Sequence, residues 1–300
     1  MERIRIYELS WQLAIAIVIS YVFIIAILPV GALFTNAFNN GWQGFVKDIS
    51  EPAARNALVL TVKVALAGAA INGLLGLLTA YVLVRFEFPG KALLNALVDL
   101  PFAIPTNVSG LMLLAVYGSG SPIGKLLESG GINISYALPG VILAVTLVTF
   151  PFTIRAVQPV LEEFDLEMEE AAYCLGASRL KTFWQVTLPS IWSGLLSGVV
   201  LTFARGLAEF GAVVVVAGNI PMKTQLAAVY IYGEMESYDP RGATSVSVVL
   251  VLAAIVLLVA LNVFSRSYRP EFPEILRPRH FIQARRVKKH AESITSTQTG

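Results

Sequence analysis

Long apolar runs alternate along this chain with short polar joints. Six runs approach the roughly 20 residues that a helix needs to cross a bilayer: Leu13–Leu33, Ala57–Val84, Phe102–Tyr117, Tyr136–Val157, Ile191–Ala217 and Thr244–Phe264. The pattern predicts an all-α membrane protein with six transmembrane helices over residues 13–264, a short N-terminal segment over 1–12 and a tail over 265–300. The third run is the shortest. Pro101 and Pro105 break its start, so Ala92–Leu100 is expected to form a separate interfacial helix. The first run follows Arg3 and Arg5, as a signal peptide would. Its apolar stretch exceeds the ~7–15 residues of a signal core, which predicts a retained helix.

Composition agrees with this pattern. The chain of 300 residues is 56% hydrophobic and 14% charged, with a mean hydropathy of +0.69. Soluble domains carry about 25% charged residues, so the bilayer is the partner this composition demands. The net charge of +2 gives no sign of a nucleic-acid partner. A single cysteine, Cys174, excludes an internal disulfide and a multi-cysteine metal site. Both histidines, His280 and His290, lie in the tail, which leaves nothing from which to build a buried histidine site. Lysine and arginine set the orientation. With the N-terminus inside, only Lys47, Arg55, Lys125, Lys223 and Arg241 fall outside, and Lys63 and Arg205 fall within spans. The others lie on the inner side, many of them in the tail, so both termini and the segment 162–190 are expected in the cytoplasm. The tail ends in a polar stretch that predicts disorder, and its "RRVKK" (Arg285–Lys289) suits anionic headgroups or simply enforces topology.

Several segments invite chemical readings. "GSGSPIGKLL" (Gly118–Leu127) superficially resembles a phosphate loop, but Ser119 stands where that loop needs glycine and Leu126 where it needs Ser or Thr. It reads as a turn, and the chain shows no nucleotide site of its own. Arg205 and Glu209 are four apart in the fifth run, so on one helix they share a face and pair. Arg205 lies about 21 Å into that run at ~1.5 Å per residue. Ionisable residues at such depth are costly and face a bundle interior or a wet cavity. Two readings fit: a lining of a polar translocation pathway, or a buried structural pair. Gly206, Ala208, Gly211 and Ala212 beside them would let neighbouring helices approach closely. Lys63 is placed to snorkel outward, while Asn72 and Thr79 are candidates for interhelical hydrogen bonds. On the outer side, Gln225–Tyr232 is apolar but too short to span, and predicts a re-entrant or surface helix.

The remaining oddity is a polar helical segment between two apolar runs, "EEAAYCLGASRLKTFWQVTLP" (Glu169–Pro189). Acidic residues from Glu162 onward lead into Ala171 and Ala172, as the positive end of a helix favours. Gly176 interrupts. Ser178 is placed to cap a second helical piece, on which Leu180, Phe183, Trp184 and Leu188 fall on one apolar face. Pro189 is expected to close that piece before the next span. A jointed, projecting amphipathic helix suits either docking into a partner's groove or lying on the membrane.

The spacing within this segment, Glu170-Ala171-Ala172, then Gly176, then Leu188-Pro189, resembles the EAA loop of binding-protein-dependent ABC importer permeases. Val186 stands where the family usually has isoleucine. From Asn56 to Phe264 further stretches are similar to the sulfate/thiosulfate permeases. These are "RFEFPGK", "DLPFAIPTNVSGLML", "ALPGVILA", "FPFTIRAVQPVLEE" and "ARGLAEFGAVVVVAGNIP". Molybdate and tungstate permeases are close relatives. The resemblance implies a type I importer permease fold with a cytoplasmic coupling helix, in which Glu170, Ala171, Ala172, Gly176, Ala177, Leu188 and Pro189 meet an ATPase. It implies a non-catalytic subunit without its own cofactor, with ATP and Mg bound by two ATPase subunits. The other implied partners are a second permease subunit, a paralogue, and an extracytoplasmic binding protein for a sulfate-type anion. The implied location is the inner membrane of a prokaryote.

Overall fold

The computed structural model describes residues 2–237 and 240–267. The first span is an unbroken helix made of α1 (Glu2–Val22), a wide π turn (Phe23–Ile27) and α2 (Leu28–Ala37). An amphipathic helix, α3 (Gly41–Ser50), precedes the 34-residue α4 (Pro52–Arg85). Three short helices follow, α5 (Lys91–Val98), α6 (Leu100–Ala103) and α7 (Thr106–Tyr117). After α8 (Pro122–Ser129) comes the long α9 (Leu138–Glu162). The polar segment holds α10 (Glu167–Cys174) and α11 (Arg179–Thr182). A second π turn (Phe183–Thr187) leads into α12 (Leu188–Leu207). Then come α13 (Gly211–Ala217), α14 (Ala227–Glu236) and α15 (Pro240–Ser267). Among the described residues there is no strand.

Five of these helices are long and apolar enough to cross a membrane; Thr106–Tyr117 is the shorter apolar helix at the third expected span. At ~1.5 Å per residue α7 reaches only about 18 Å, against a hydrocarbon core of about 30 Å. The cause is Pro105, which forces Ile104 out of the helical region to ψ 131°. As expected, the residues before this break form a separate helix, α5. The fifth expected span differs too. It starts earlier, as one 29-residue helix over Arg179–Leu207, and breaks at Ala208–Phe210 before α13. The half-length helices α7 and α13 pack on each other. A Cβ on Gly110 would lie 2.8 Å from the Ala212 carbonyl, and one on Gly211 would collide with the Thr106 hydroxyl, so only glycine permits this approach.

The core forms where α4, α9 and α12 pack together. Ala80, Leu83, Ile154, Val157, Leu161 and Ile191 fill the half nearer the polar segment. Val64, Val141, Val145 and Val213 meet Leu226 and Val229 in the other half. Small residues bring the helices close: a Cβ on Gly198 would come within 2.8 Å of the Thr153 Cα, and one on Gly206 within 3.1–3.3 Å of Val145 and Ala65. Polar pairs fix the register. Asn72 donates to the Thr146 carbonyl at 3.0 Å and the Thr149 hydroxyl at 2.9 Å, and Thr153 pairs with Thr202 at 2.9 Å. Thr79, expected to act between helices, donates instead to Leu75 of its own helix at 2.8 Å. The short helix α14 lies folded against the bundle, with the Ala227 amide donating to Thr61 at 2.7 Å. Burial, then the carboxylates of Glu234 and Glu51, push the Tyr230 phenol pKa up, so it stays a donor. The first span has none of its most apolar stretch buried.

Candidate functional site: a jointed polar turn and a polar break in the fifth span

The polar segment begins where α9 ends at Glu162. Asp165 accepts the Glu167 amide at 3.0 Å and starts α10. That helix ends in a Schellman arrangement, with the Gly176 amide donating to Tyr173 at 2.9 Å and the Ala177 amide to Ala172 at 3.0 Å. Gly176 stands at φ +82°, where an L side chain costs roughly 1–2 kcal/mol. Ser178 then caps the next helix through Lys181, at 3.4 Å. The expected joint at Gly176 and cap at Ser178 are therefore both present.

Pro189 does not stop the second piece, contrary to expectation. The π turn at Phe183–Thr187 places Pro189 at the first turn of α12, and the helix continues unbroken to Leu207. In that turn Leu188 donates to Phe183, five residues back, so the register widens where proline brings no N–H. The same turn splits the expected apolar face. Phe183 and Leu188 turn inward, Phe183 edge-on to Tyr81 at 5.7 Å and Leu188 against the core. Leu180 and Trp184 remain exposed.

Glu170 and Ala171 are exposed on α10, Ala172 and Ala177 are partly covered, and Gly176 and Pro189 are exposed. Beside them stand exposed Leu166, Tyr173, Leu175, Leu180 and Trp184. Leu175, just before the joint, is 89% exposed. An apolar rim of this kind marks an interaction surface. Sequence reasoning passed over Leu166, Tyr173 and Leu175, although Leu175 stands at the helix C-cap, where a joint projects it.

The second cluster lies at the break in the fifth span. Arg205 and Glu209 meet at 2.8 Å as expected, although α12 ends between them. Glu209 is fully buried and Arg205 about one-third exposed (0% and 33% side-chain exposure). Glu209 Oε1 accepts the Ala212 amide at 3.0 Å and so starts α13. Its Oε2 faces the Arg205 guanidinium as an ion pair and has no other partner among the described residues. The pair opens with Thr106, Asn107, Phe210 and Gly211 onto a cavity of about 450 Å³. Gly206, Gly211 and Ala212 are helix contacts, as the sequence suggested, whereas Ala208 is exposed and lines this cavity.

A third cluster carries no sequence signal. Arg155 on α9 makes a two-pronged bond to Asp99 at 2.7 and 2.6 Å, and donates to the Asn95 carbonyl at 2.8 Å, its Oδ1 at 2.9 Å and Gln158 at 2.5 Å. It locks the α5–α6 turn onto α9.

A multi-pass helical membrane protein, with a jointed apolar turn at one end of its bundle and an ion pair at a broken span, is the architecture of a transport permease. The family model of binding-protein-dependent transport system inner membrane components matches residues 72–270. The chain belongs to that family. It is 44% identical over 252 residues to a probable sulfate transport system permease protein cysT of Chlorokybus atmophyticus, covering 84% of this chain and 87% of the relative. It is 43% identical over 247 residues to the sulfate transport system permease protein CysW of Synechocystis, covering 82% and 90%. Its fold is similar to a chain of a bacterial alginate ABC transporter solved with a pentasaccharide-bound periplasmic protein. The TM-score is 0.70 at 18% identity, covering 89% of this chain and 96% of that one.

Proposed function

We propose that this chain is the permease subunit of an ATP-driven importer of sulfate or thiosulfate. It forms one wall of the translocation pathway and catalyses no reaction itself. Two ATPase subunits bind ATP and Mg and dock against the turn around Gly176. A binding protein delivers the anion from outside. The termini and the segment 162–190 face the cytoplasm of a prokaryotic cell, and the tail, which lies outside the described residues from 268 onward, keeps that orientation. The second permease is a paralogue, a pairing supported by the near-equal likeness to relatives named cysT and CysW.

The observation that carries this reading is the projecting turn. Glu170, Ala171 and Gly176 present backbone and apolar rim outward rather than into the bundle. From that turn the helix Arg179–Leu207 runs unbroken, a lever of about 43 Å. Arg205 stands in its last turn and lines the cavity, so movement imposed on the turn arrives at the cavity of the fifth span. ATP binding by the partners biases this element between two arrangements. The Arg205–Glu209 pair supports the pathway role. A cation half-neutralised by its own carboxylate attracts an anion without trapping it, as conduction requires.

The substrate is tested by competition. In proteoliposomes holding the whole complex, excess unlabelled sulfate suppresses uptake of labelled sulfate about tenfold or more, whereas equal molybdate or tungstate leaves most of it. Uptake of molybdate that sulfate fails to suppress would assign the chain to the molybdate/tungstate branch.

A further inference from the structure

The polar segment is tied to the bundle through one buried carboxylate. Glu169, in the first turn of α10, accepts Arg85 Nη2 at 2.9 Å and the Thr187 hydroxyl at 2.8 Å on the same Oε1. Arg85 is the last residue of α4, and Thr187 closes the π turn that leads into α12. The Arg85 and Glu169 side chains are only 11% and 10% exposed. The Arg85 guanidinium also lies over the Phe164 ring, 5.3 Å from its centre, in the link between α9 and α10. One contact therefore joins three elements: the end of the second span, the coupling helix and the start of the fifth span. Elsewhere on α10, Glu170, Ala171, Tyr173 and Cys174 face outward. Met168 and Ala172 are partly covered, α10 packs on α11 and the π turn, and its chain connections at Glu163–Leu166 and at the Gly176 joint are non-helical.

We infer that Arg85 and Glu169 are positioning residues that transmit movement of the coupling helix to α4 as well as α12, so that the two spans move together. The inference rests on the proposed function above. Without the pair, a pull on α10 still reaches α12 through the backbone and the packing on the π turn, but it loses its ion pair to α4. A buried pair of this kind is costly to break from one side, and Glu169 is further favoured by the helix start. Their pairing escapes a sequence reading because the two residues are 84 positions apart.

The test uses the complete complex, with its ATPases, second permease and binding protein, in proteoliposomes. It reads anion uptake per ATP hydrolysed, a ratio that a purely structural residue leaves alone. Arg85→Gln and Glu169→Gln are expected to assemble and to hydrolyse ATP, with uptake per ATP down about tenfold, within the ~5–150-fold range of typical coupling energies. Arg85→Lys, which keeps the charge, is expected to retain uptake within about threefold of wild type. The inference is overturned if either glutamine variant keeps the wild-type ratio, or if Arg85→Lys is as defective as Arg85→Gln. Loss of complex assembly in Glu169→Gln would also overturn it, since the pair would then serve assembly and not transmission. Wild-type uptake that needed no ATPase would overturn the proposed function itself, and this inference with it.

Discussion

Gly176→Pro leaves the chain in the membrane but lowers ATP-driven uptake by about tenfold or more, the factor that goes with about 1.4 kcal/mol of lost docking. Proline fixes φ near −65°, and the joint needs +82°. Proline also removes the Gly176 amide that closes α10 on Tyr173 at 2.9 Å. The Ala177 bond to Ala172 goes with it, because the chain no longer turns back. Nothing lies within 4 Å of a Cβ placed on Gly176, so crowding is not the cause and the bundle core is untouched. Gly176→Ala separates the two effects. It fits the space and keeps the amide, so only the left-handed strain of roughly 1–2 kcal/mol remains, and uptake falls less. A bulky charge at Ala172, a partly covered position of α10 near buried Glu169, gives a loss like that of proline. Uptake by the reconstituted complex checks this series, with membrane content measured on the same vesicles. Wild-type uptake by Gly176→Pro would remove the docking role from this turn.

Glu209→Ala destabilises the folded chain by about 3 kcal/mol, the low end of the ~3–5 kcal/mol for breaking a buried ion pair from one side. The low end applies because Arg205 is one-third exposed and recovers part of its solvation. The substitution removes two things at once, the neutralisation of Arg205 and the acceptor for the Ala212 amide at 3.0 Å. Glu209→Gln keeps an acceptor for that amide and loses only the charge, so it costs less. Thermal unfolding of the detergent-solubilised protein reads both, and the expected order of stability is wild type, then Glu209→Gln, then Glu209→Ala. Equal stability of all three would place the carboxylate outside the packing described for α13.

The two clusters were unequally legible in the sequence. The joint at Gly176 and the cap at Ser178 were readable because they depend on local rules, a glycine left-handed turn and a serine before a helix. The long spans were readable from runs of apolar residues. The break after Leu207 was not. The spacing of Arg205 and Glu209 fits an uninterrupted helix, and the same carboxylate serves equally as the acceptor that starts a new one. Pro189 misled for a related reason. Proline in the first turn of a helix and proline after its last residue look alike until the turn before it is known. The third span is readable as interrupted at Pro105 and ended by the turn from Gly118, yet nothing local says that α7 is supported by α13. The Arg85–Glu169 and Arg155–Asp99 contacts join positions 84 and 56 apart, beyond any periodicity.

On the proposed function, this chain moves its anion only when partners at the Gly176 turn hydrolyse ATP. This dependence is tested most directly by measuring sulfate uptake into proteoliposomes that contain the permease pair and binding protein, with and without the ATPase subunits. Uptake is expected only when ATPase and ATP are both present, with background flux otherwise. Uptake at the full rate by the permease alone, down the anion gradient, would contradict it and make the Arg205–Glu209 cavity the path of an ATP-independent carrier or channel.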